Sequence, residues 1–248
     1  MSEQRVEARY AFWLSSPNLA AAEIAADIGY RTVVLDIEHG TFDLAALDRF
    51  IPALRGLGLC VQSKVLGPTR EAIQQALDFG SHAVIVPHIE SAAHAERVCG
   101  FAKFPPLGER SFAGGRTTRY GGFDDAWVDQ QDTQTRCFAM IEDATALAEV
   151  TGILALACVD GVFVGPSDLS LRRARGAYKR TAGDWDDLRT IAEAARRANK
   201  PWILPAWSKE EKRFALEHGA QGMVLTMEHG ALTAGLRAAW VEATMLHA

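Results

Sequence analysis

The sequence of 248 residues predicts an α/β protein with the fold of a (β/α)8 TIM barrel. Eight short apolar runs recur along the chain, and an alanine- and charge-rich amphipathic segment follows each of them. The runs are almost continuously hydrophobic, as parallel strands are when both of their faces are covered. A strand followed by a helix, eight times over, is typical of this barrel, which at this length is ordinarily one domain, here residues 1–248.

The predicted strands follow one another in chain order as residues 10–14 (YAFWL), 32–37 (TVVLDI), 59–65 (LCVQSKV), 82–87 (HAVIVP), 137–142 (CFAMIE), 159–165 (VDGVFVG), 201–206 (PWILPA) and 221–226 (QGMVLT). The segments between them have helical spacing, and "NLAAAEIAADIG" closes on a glycine that favours a helix end. A helix, a glycine and then a strand recur in "DIGYRTVVLD", "DFGSHAVIVP" and "EHGAQGMVLT". This is the turn chemistry expected where helices lead back into strands.

Two segments interrupt this rhythm. Residues 104–136 are rich in glycine and arginine and are predicted to form a long βα loop after the fourth strand. Residues 171–187, "LRRARGAYKRTAGDWDD", form a second loop after the sixth strand. Loops of the first length inside a compact domain commonly carry function.

Composition narrows the range of functions. The net charge of -5 provides no basic face for a polynucleotide, so no nucleic acid partner is expected. The first residues lack the apolar core of a signal peptide, and no stretch approaches the roughly 20 apolar residues that cross a bilayer. Four cysteines without a CxxC pair fit a reducing compartment. We therefore expect a cytoplasmic protein with no membrane partner.

Polar residues end several predicted strands, and in such a barrel the active site lies at those carboxyl ends. They are Asp36, Glu38 and His39 after the second strand, Lys64 at the third, His88 and Glu90 after the fourth, Glu142 at the fifth and Asp168 after the sixth. His88 and Glu90 are predicted to start the fourth helix.

Glu142 and Asp168 follow neighbouring strands and are predicted to converge on one point. Two hard oxygen ligands suit Mg²⁺ or Mn²⁺, with Co²⁺ as an alternative, and zinc is less natural without nearby thiols. The alternative is that Glu142 caps the following helix and Asp168 only starts a turn.

Five segments then resemble a known family. "VVLDIEHGTFDL", "GSHAVIVPHIESAAHAERV", "FPPLGERSF", "CFAMIED" and "VDGVFVGPSDLSL", in this order, are similar to the HpcH/HpaI family of class II pyruvate aldolases. The resemblance implies a (β/α)8 barrel assembled as a homohexamer, a trimer of dimers. It also implies a divalent metal on Glu142 and Asp168, acid/base chemistry by His39 with help from Asp36, and cleavage of 4-hydroxy-2-oxo acids into pyruvate and an aldehyde.

The chemistry of this reaction agrees with the residues. Cleavage leaves an enolate, whose charge a metal stabilises as a Lewis acid. The imidazole of His39 titrates near neutrality, which suits proton transfer from the C4 hydroxyl, and Asp36 would fix its tautomer. Without the resemblance, a helix-start cluster with a solvated histidine is the favoured interpretation of "DIEHG".

The stretch "GPSDLS" is predicted to hold the carboxylate of the substrate. Gly165 and Pro166 turn the chain, so that backbone amides around Ser167 and Asp168 face the barrel mouth, where N–H groups at a helix start bind anions. The resemblance implies that Lys64 contacts the same oxo acid.

Four residues depart from the family pattern. Lys64 stands where relatives have an arginine, and it lacks the planar fork that grips a carboxylate with two bonds. Met140 replaces a glutamine, and Glu228 and His229 follow the eighth strand in place of a small residue and an aspartate. The donor oxo acid and the aldehyde therefore stay open.

Three alternative functions remain. Lys64 would be the nucleophile of a Schiff-base lyase. A catalytically silent barrel would tolerate the changes at Lys64 and Met140. A CoA-thioester lyase of the citrate lyase type would use the basic loop against a CoA phosphate, although a solvated loop explains the same charges. That loop contains Arg172, Arg173, Arg175, Lys179 and Arg180.

Overall fold

Eight parallel strands close into a barrel in the computed structural model, which describes residues 9–246. They pair in chain order, and the last strand pairs with the first. The strands are β1 (Tyr10–Leu14), β2 (Thr32–Asp36), β3 (Cys60–Lys64), β4 (Ala83–Val86), β5 (Arg136–Ile141), β6 (Gly161–Val164), β7 (Trp202–Pro205) and β8 (Gly222–Met227). The predicted (β/α)8 barrel is confirmed, and each predicted strand differs from the observed one by only a few terminal residues.

Eleven α-helices lie among the described residues. They are α1 (Leu19–Ile28), α2 (Leu44–Gly56), α3 (Arg70–Asp78), α4 (Ala92–Cys99), α5 (Asp125–Gln134), α6 (Ala144–Ala148), α7 (Val150–Ala155), α8 (Pro166–Arg172), α9 (Ala182–Ala198), α10 (Lys209–Glu217) and α11 (Glu228–Met245). Side-chain caps start α1 to α4, where Asn18, Asp43, Thr69 and Ser91 each accept a hydrogen bond from a backbone amide of the first turn. None of the helices within residues 9–246 combines the length and apolar character that a membrane span requires.

The barrel interior is filled with large side chains. Trp13, Phe138, Met140, Phe163 and Ile203 belong to one buried cluster contributed by the strands. Two further clusters lie between the strands and the surrounding helices. The barrel is therefore a packed core with no channel, and a site for small molecules has to lie at one of its two ends.

The structure corrects the placement of residues 104–136. The chain forms α4 directly after β4, so this segment leads from a helix back to β5 and is an αβ connection, not a βα loop. It packs around an aromatic cluster in which the Phe112 and Phe123 rings stack at 3.8 Å and Trp127 meets both. The prediction is wrong because α4 lies between β4 and this segment, so that the segment begins at the opposite end of the barrel from the end of β4.

The last helix is unusual because no residue of α11 is buried. Leu232, Leu236 and Trp240 are each more than 60% exposed, and Ile24 and Ile28 on α1 are as well. An opening of about 670 Å³ between α1 and α11 is lined mainly by apolar atoms. Apolar residues of α1 and α11 are therefore left uncovered within residues 9–246.

We predict that Lys103→Met destabilises the protein by about 3–5 kcal/mol, because the buried ammonium holds the 104–136 segment to the barrel floor. Its Nζ donates to the carbonyl oxygens of Asp132 at 2.7 Å and Thr135 at 2.9 Å, and lies 2.8 Å from Asp160 Oδ2. Methionine keeps the volume but removes the donor to the two carbonyl oxygens and the cation beside Asp160. Urea unfolding measures the change, with exposed Lys209→Met as control; equal stability of the two variants would contradict the assignment.

Candidate active site at the carboxyl ends of the strands

Glu142 and Asp168 line the same small cavity at the mouth of the barrel, together with His88 and Arg172. Glu142 directly follows β5 and is buried, whereas Asp168 lies in the first turn of α8 and is exposed. Burial raises the pKa of Glu142, and the negative charge of Asp168 raises it further, although the backbone amide of His88 at 2.7 Å opposes the rise. The cavity, about 80 Å³, thus holds two carboxylates whose charges are incompletely compensated.

This donor set fits a hard divalent cation. Carboxylate oxygens are the ligands that Mg²⁺ and Mn²⁺ prefer, and a cation between them would relieve the repulsion between Glu142 and Asp168. Among residues 9–246 no group of three or more histidine, cysteine, aspartate or glutamate side chains is arranged around one ion position. The protein therefore offers two carboxylates here, which leaves the remaining coordination positions to water and substrate.

Neither carboxylate has the role that the simpler alternative gave it. The helix after β5 is capped by Asp143, whose Oδ1 accepts from the amide of Thr145 at 2.9 Å, and not by Glu142. Asp168 lies inside a seven-residue helix and not in a turn. Helix capping therefore does not account for Glu142.

Gly165 allows β6 to end directly against Glu142. A Cβ atom at Gly165 would lie 2.7 Å from both Glu142 Cβ and Met140 Cε, closer than real Cβ atoms approach. Pro166 then occupies the first position of α8, where its fixed φ and missing N–H cost nothing. Ser167 follows as an exposed residue beside Asp168.

Lys64 is buried at the end of β3 and is paired with two carboxylates. Its Nζ lies 2.7 Å from Glu38 Oε2 and 3.4 Å from Asp36 Oδ1. Asp36 is itself held by the indole of Trp13, whose Nε1 donates to Oδ2 at 3.2 Å. The positive charge of Lys64 is therefore compensated within the protein.

Asp36 contacts the backbone of His39, not its ring. The His39 amide donates to Asp36 Oδ1 at 3.2 Å, while the imidazole is 66% exposed and its Nε2 lies 3.6 Å from Glu38 Oε2. Gly40 permits this tight turn, because a Cβ there would lie 2.2 Å from the carbonyl oxygen of Asp36. Asp36 thus positions the turn that carries His39, and Glu38 is the carboxylate nearest to its ring.

His88 was expected after the fourth strand but was given no role in the site. The expectation that it starts the fourth helix is wrong, because Ser91 caps α4 and His88 lies three residues before that cap with φ of 57°. Its Nε2 is 2.5 Å from Glu38 Oε1, and its Nδ1 is 3.4 Å from Glu142 Oε1. A polar residue directly after a buried strand was the available signal.

Glu38 is consequently bound on both oxygens. Burial by itself raises the pKa of this carboxyl, but the hydrogen bond and charge of Lys64 and the hydrogen bond of His88 outweigh it, so that the pKa of Glu38 is lowered. Glu38 is therefore an ionised group that connects the ends of β2, β3 and β4.

Two further groups at this end of the barrel are structural. Glu228 Oε1 accepts from the amide of Ser15 at 2.9 Å and the hydroxyl of Ser16 at 3.0 Å, which ties the start of α11 to the loop after β1.

In the basic loop, Arg175 pairs with Asp184 and Asp187. Arg180 pairs with Glu211, and Arg173 lies 3.4 Å from Asp187. These charges are largely neutralised within the chain.

Sequence comparison finds one family model over most of the chain. A model described as HpcH/HpaI aldolase/citrate lyase matches residues 9–228. The 4-hydroxy-2-oxovalerate aldolase of Novosphingobium aromaticivorans is 34% identical over 160 residues, which are 64% of this chain and 61% of the relative. The 2-keto-3-deoxy-L-rhamnonate aldolase of Klebsiella pneumoniae is 32% identical over 195 residues, 78% of this chain and 72% of the relative.

Solved structures share the fold. An HpcH/HpaI aldolase from Desulfitobacterium hafniense superposes with a TM-score of 0.87 at 24% identity, covering 96% of this chain and 93% of the other. Macrophomate synthase superposes with a TM-score of 0.82 at 19% identity, covering 97% and 86%. At these identities the likeness establishes the barrel alone.

We predict that Glu38→Gln lowers the free energy of unfolding by about 2 kcal/mol at pH 7, because it leaves the buried Lys64 with a weaker partner. The folded-state pKa of Glu38 is below its ordinary value of 4.5, so its contribution is present above pH 4.5 and is lost as the pH falls through the folded-state pKa. The difference between the variant and the parent should therefore shrink in acid. Urea unfolding at several pH values tests this, with exposed Glu23→Gln as control; a difference independent of pH would contradict it.

Proposed function

The chain belongs to the HpcH/HpaI aldolase/citrate lyase family, and from this premise we propose that it is a class II, metal-dependent aldolase, a carbon–carbon lyase. It cleaves or forms 4-hydroxy-2-oxo acids, with pyruvate or a related 2-oxo acid as donor and an aldehyde as acceptor. The observation that carries the proposal is the pair of carboxylates, Glu142 and Asp168, in one cavity at the mouth of the barrel. The aldolase names of relatives at 32–34% identity support it.

Glu142 and Asp168 are the proposed holders of the divalent metal, Mg²⁺ or Mn²⁺. When bound, such an ion supplies Lewis-acid stabilisation of the enolate charge that cleavage leaves on the 2-oxo acid. The burial of Glu142 restricts water around this carboxylate and strengthens its interaction with any cation. Gly165 supports the site by letting β6 approach Glu142, but its own amide donates to the carbonyl oxygen of Ile141 at 3.0 Å. The backbone amides of Ser167 and Asp168 are therefore the proposed contacts of the substrate carboxylate.

His39 is the proposed acid/base group. Its ring is exposed at the mouth and can take the proton of the C4 hydroxyl directly or through water. Glu38, 3.6 Å from Nε2, would stabilise the imidazolium that forms. Asp36 contributes by fixing the His39 backbone.

Lys64 is proposed to place positive charge beside the oxo acid. Its Nζ is paired with two carboxylates within 3.4 Å, so no free amine faces a substrate carbonyl, and this favours the metal mechanism over a Schiff-base lyase. The ion pairs of Arg175 and Arg180 also leave little free charge for a CoA phosphate. No observation favours the Schiff-base lyase or the CoA-thioester lyase over the metal mechanism.

The proposed assembly is a homo-oligomer, with the hexameric trimer of dimers as the form that the family resemblance implies. The exposed apolar face of α11 supports association, since Leu232, Leu236 and Trp240 have no cover within residues 9–246. A reducing cytoplasm is the proposed location, in keeping with four free cysteines of which three are buried in the core.

We predict that Glu142→Gln and Asp168→Asn each abolish metal-dependent exchange of the methyl protons of pyruvate with solvent, because each removes a proposed metal ligand. The exchange, followed by NMR in deuterated water with Mg²⁺ or Mn²⁺, requires no knowledge of the aldehyde. Glu90→Gln is the matched control, since Glu90 lines the same cavity without a proposed role. All three variants should keep the parent's melting temperature, and undiminished exchange in either ligand variant would refute the metal assignment.

We further predict that Lys64→Arg preserves metal-dependent pyruvate release and shifts the preference among oxo acid donors, because arginine keeps the charge and adds a second hydrogen bond. Lys64→Met should weaken oxo acid binding while some chemistry survives on the metal and His39. If Lys64 were a Schiff-base nucleophile, the arginine variant would be inactive, since guanidinium stays protonated. An inactive Lys64→Arg together with a parent that resists EDTA would overturn the proposed mechanism.

A further inference from the structure

We propose that a second cavity, at the amino-terminal face of the barrel, binds the phosphate group of a small phosphorylated metabolite. The cavity measures about 400 Å³, within the range of small-molecule sites at roughly 300–1,000 Å³. Its walls come from the end of α2, the start of β4, the 3₁₀ turn at residues 116–118 and helix α5. The proposed catalytic site lies at the opposite end of the strands.

The charge of the lining carries the proposal. Three arginines, Arg55, Arg116 and Arg119, contribute to the walls, and no aspartate or glutamate does, in a chain whose net charge is -5. Arg116 is neutralised by Asp48 at 2.8 Å. Arg55 and Arg119 have no carboxylate within 4.0 Å among residues 9–246, so two guanidinium groups retain their charge there. Guanidinium binds phosphate with two parallel hydrogen bonds.

His82 adds a neutral donor to the same cavity. Its Nδ1 accepts a hydrogen bond from the amide of Val61 at 3.0 Å, which places the proton of the neutral ring on Nε2. Burial lowers the pKa of His82, and the charge of Arg55 lowers it further, so the ring is neutral at physiological pH. The Nε2–H group is then a donor for an oxygen of the ligand.

The remaining walls suit a hydroxylated body attached to the phosphate. Gln130, Gln131 and Gln134 line the cavity from consecutive turns of α5, and Thr117 and Thr118 line it from the facing turn. Amides and hydroxyls both donate and accept hydrogen bonds, which matches the hydroxyl groups of a sugar or polyol phosphate. Trp127 closes one side, and its Nε1 donates to the carbonyl oxygen of Thr117 at 3.3 Å, which holds the two walls together.

Isothermal titration calorimetry of the full chain tests the proposal with three probes: sorbitol 6-phosphate, inorganic phosphate and sorbitol. Polyols are used because they lack the aldehyde group that an aldolase would accept. EDTA in the buffer removes divalent metal from the opposite end of the barrel. NaCl at 0.15 M screens nonspecific electrostatic attraction. We expect both phosphates to bind and sorbitol not to bind. If the hydroxylated body of the ligand contributes, sorbitol 6-phosphate binds with higher affinity than inorganic phosphate. If the site takes the free ion, the two affinities are equal.

The variants isolate the two free arginines. Arg119→Gln and Arg55→Gln should each weaken phosphate binding about tenfold, the factor expected for one charge-assisted hydrogen bond. Arg119 is the decisive position, because Arg55 also donates to the carbonyl oxygen of Gly80 at 2.8 Å and its loss can disturb the wall. The control is Arg197→Gln/Arg213→Gln, which removes exposed arginines from α9 and α10.

Three results would overturn the proposal. They are absence of binding by the parent at millimolar phosphate, unchanged binding by Arg119→Gln, and equal weakening in the control double variant. Displacement of sorbitol 6-phosphate by pyruvate in the presence of Mg²⁺ would also overturn it, since the phosphate would then occupy the catalytic mouth.

Discussion

The ionised carboxylate of Glu38 is the interaction on which the mouth of the barrel depends. One of its oxygens accepts from Lys64 at the end of β3, and the other meets His88 beyond β4. Lys64 is paired with Glu38 and Asp36. Burial and the charge of Asp168 raise the pKa of Glu142 and outweigh Lys64 and His88, which lower it, so the two carboxylates stay incompletely compensated. The surplus negative charge that results is what a divalent cation would balance.

Much of this arrangement follows from local sequence. A parallel barrel sends the carboxyl end of every strand to the same edge, so a polar residue after an apolar run lies at the mouth whatever its partners are. Glu142 and Asp168 therefore line one cavity as expected. Gly165 could be noted from "GPSDLS", but only the structure shows why glycine is required there. A Cβ at this position would lie 2.7 Å from side-chain atoms of both Met140 and Glu142.

The contacts that could not be predicted join distant parts of the chain. His88 meets Glu38 and Glu142 across 50 and 54 residues, in a left-handed conformation that no hydrophobic pattern indicates for a histidine. The end of the barrel from which residues 104–136 extend was also predicted wrongly, because the segment was placed directly after β4 although α4 separates the two. Asp36 lies at the end of β2, as its position after an apolar run indicated. Its hydrogen bonds with the His39 amide and the Trp13 indole could not be predicted, because they depend on the three-dimensional shape of the turn at Gly40.

The buried side chains that fill the barrel interior restrict how small molecules reach its mouth. Trp13, Met140 and Phe163 close the barrel from below, so everything that reacts at Glu142 enters and leaves through a single opening. A molecule that binds beside the buried carboxylate of Glu142 fills the bottom of the opening. A second molecule must then bind above it, where it blocks the first molecule from leaving. Under the proposed function, the oxo acid would therefore bind before the aldehyde and leave after it.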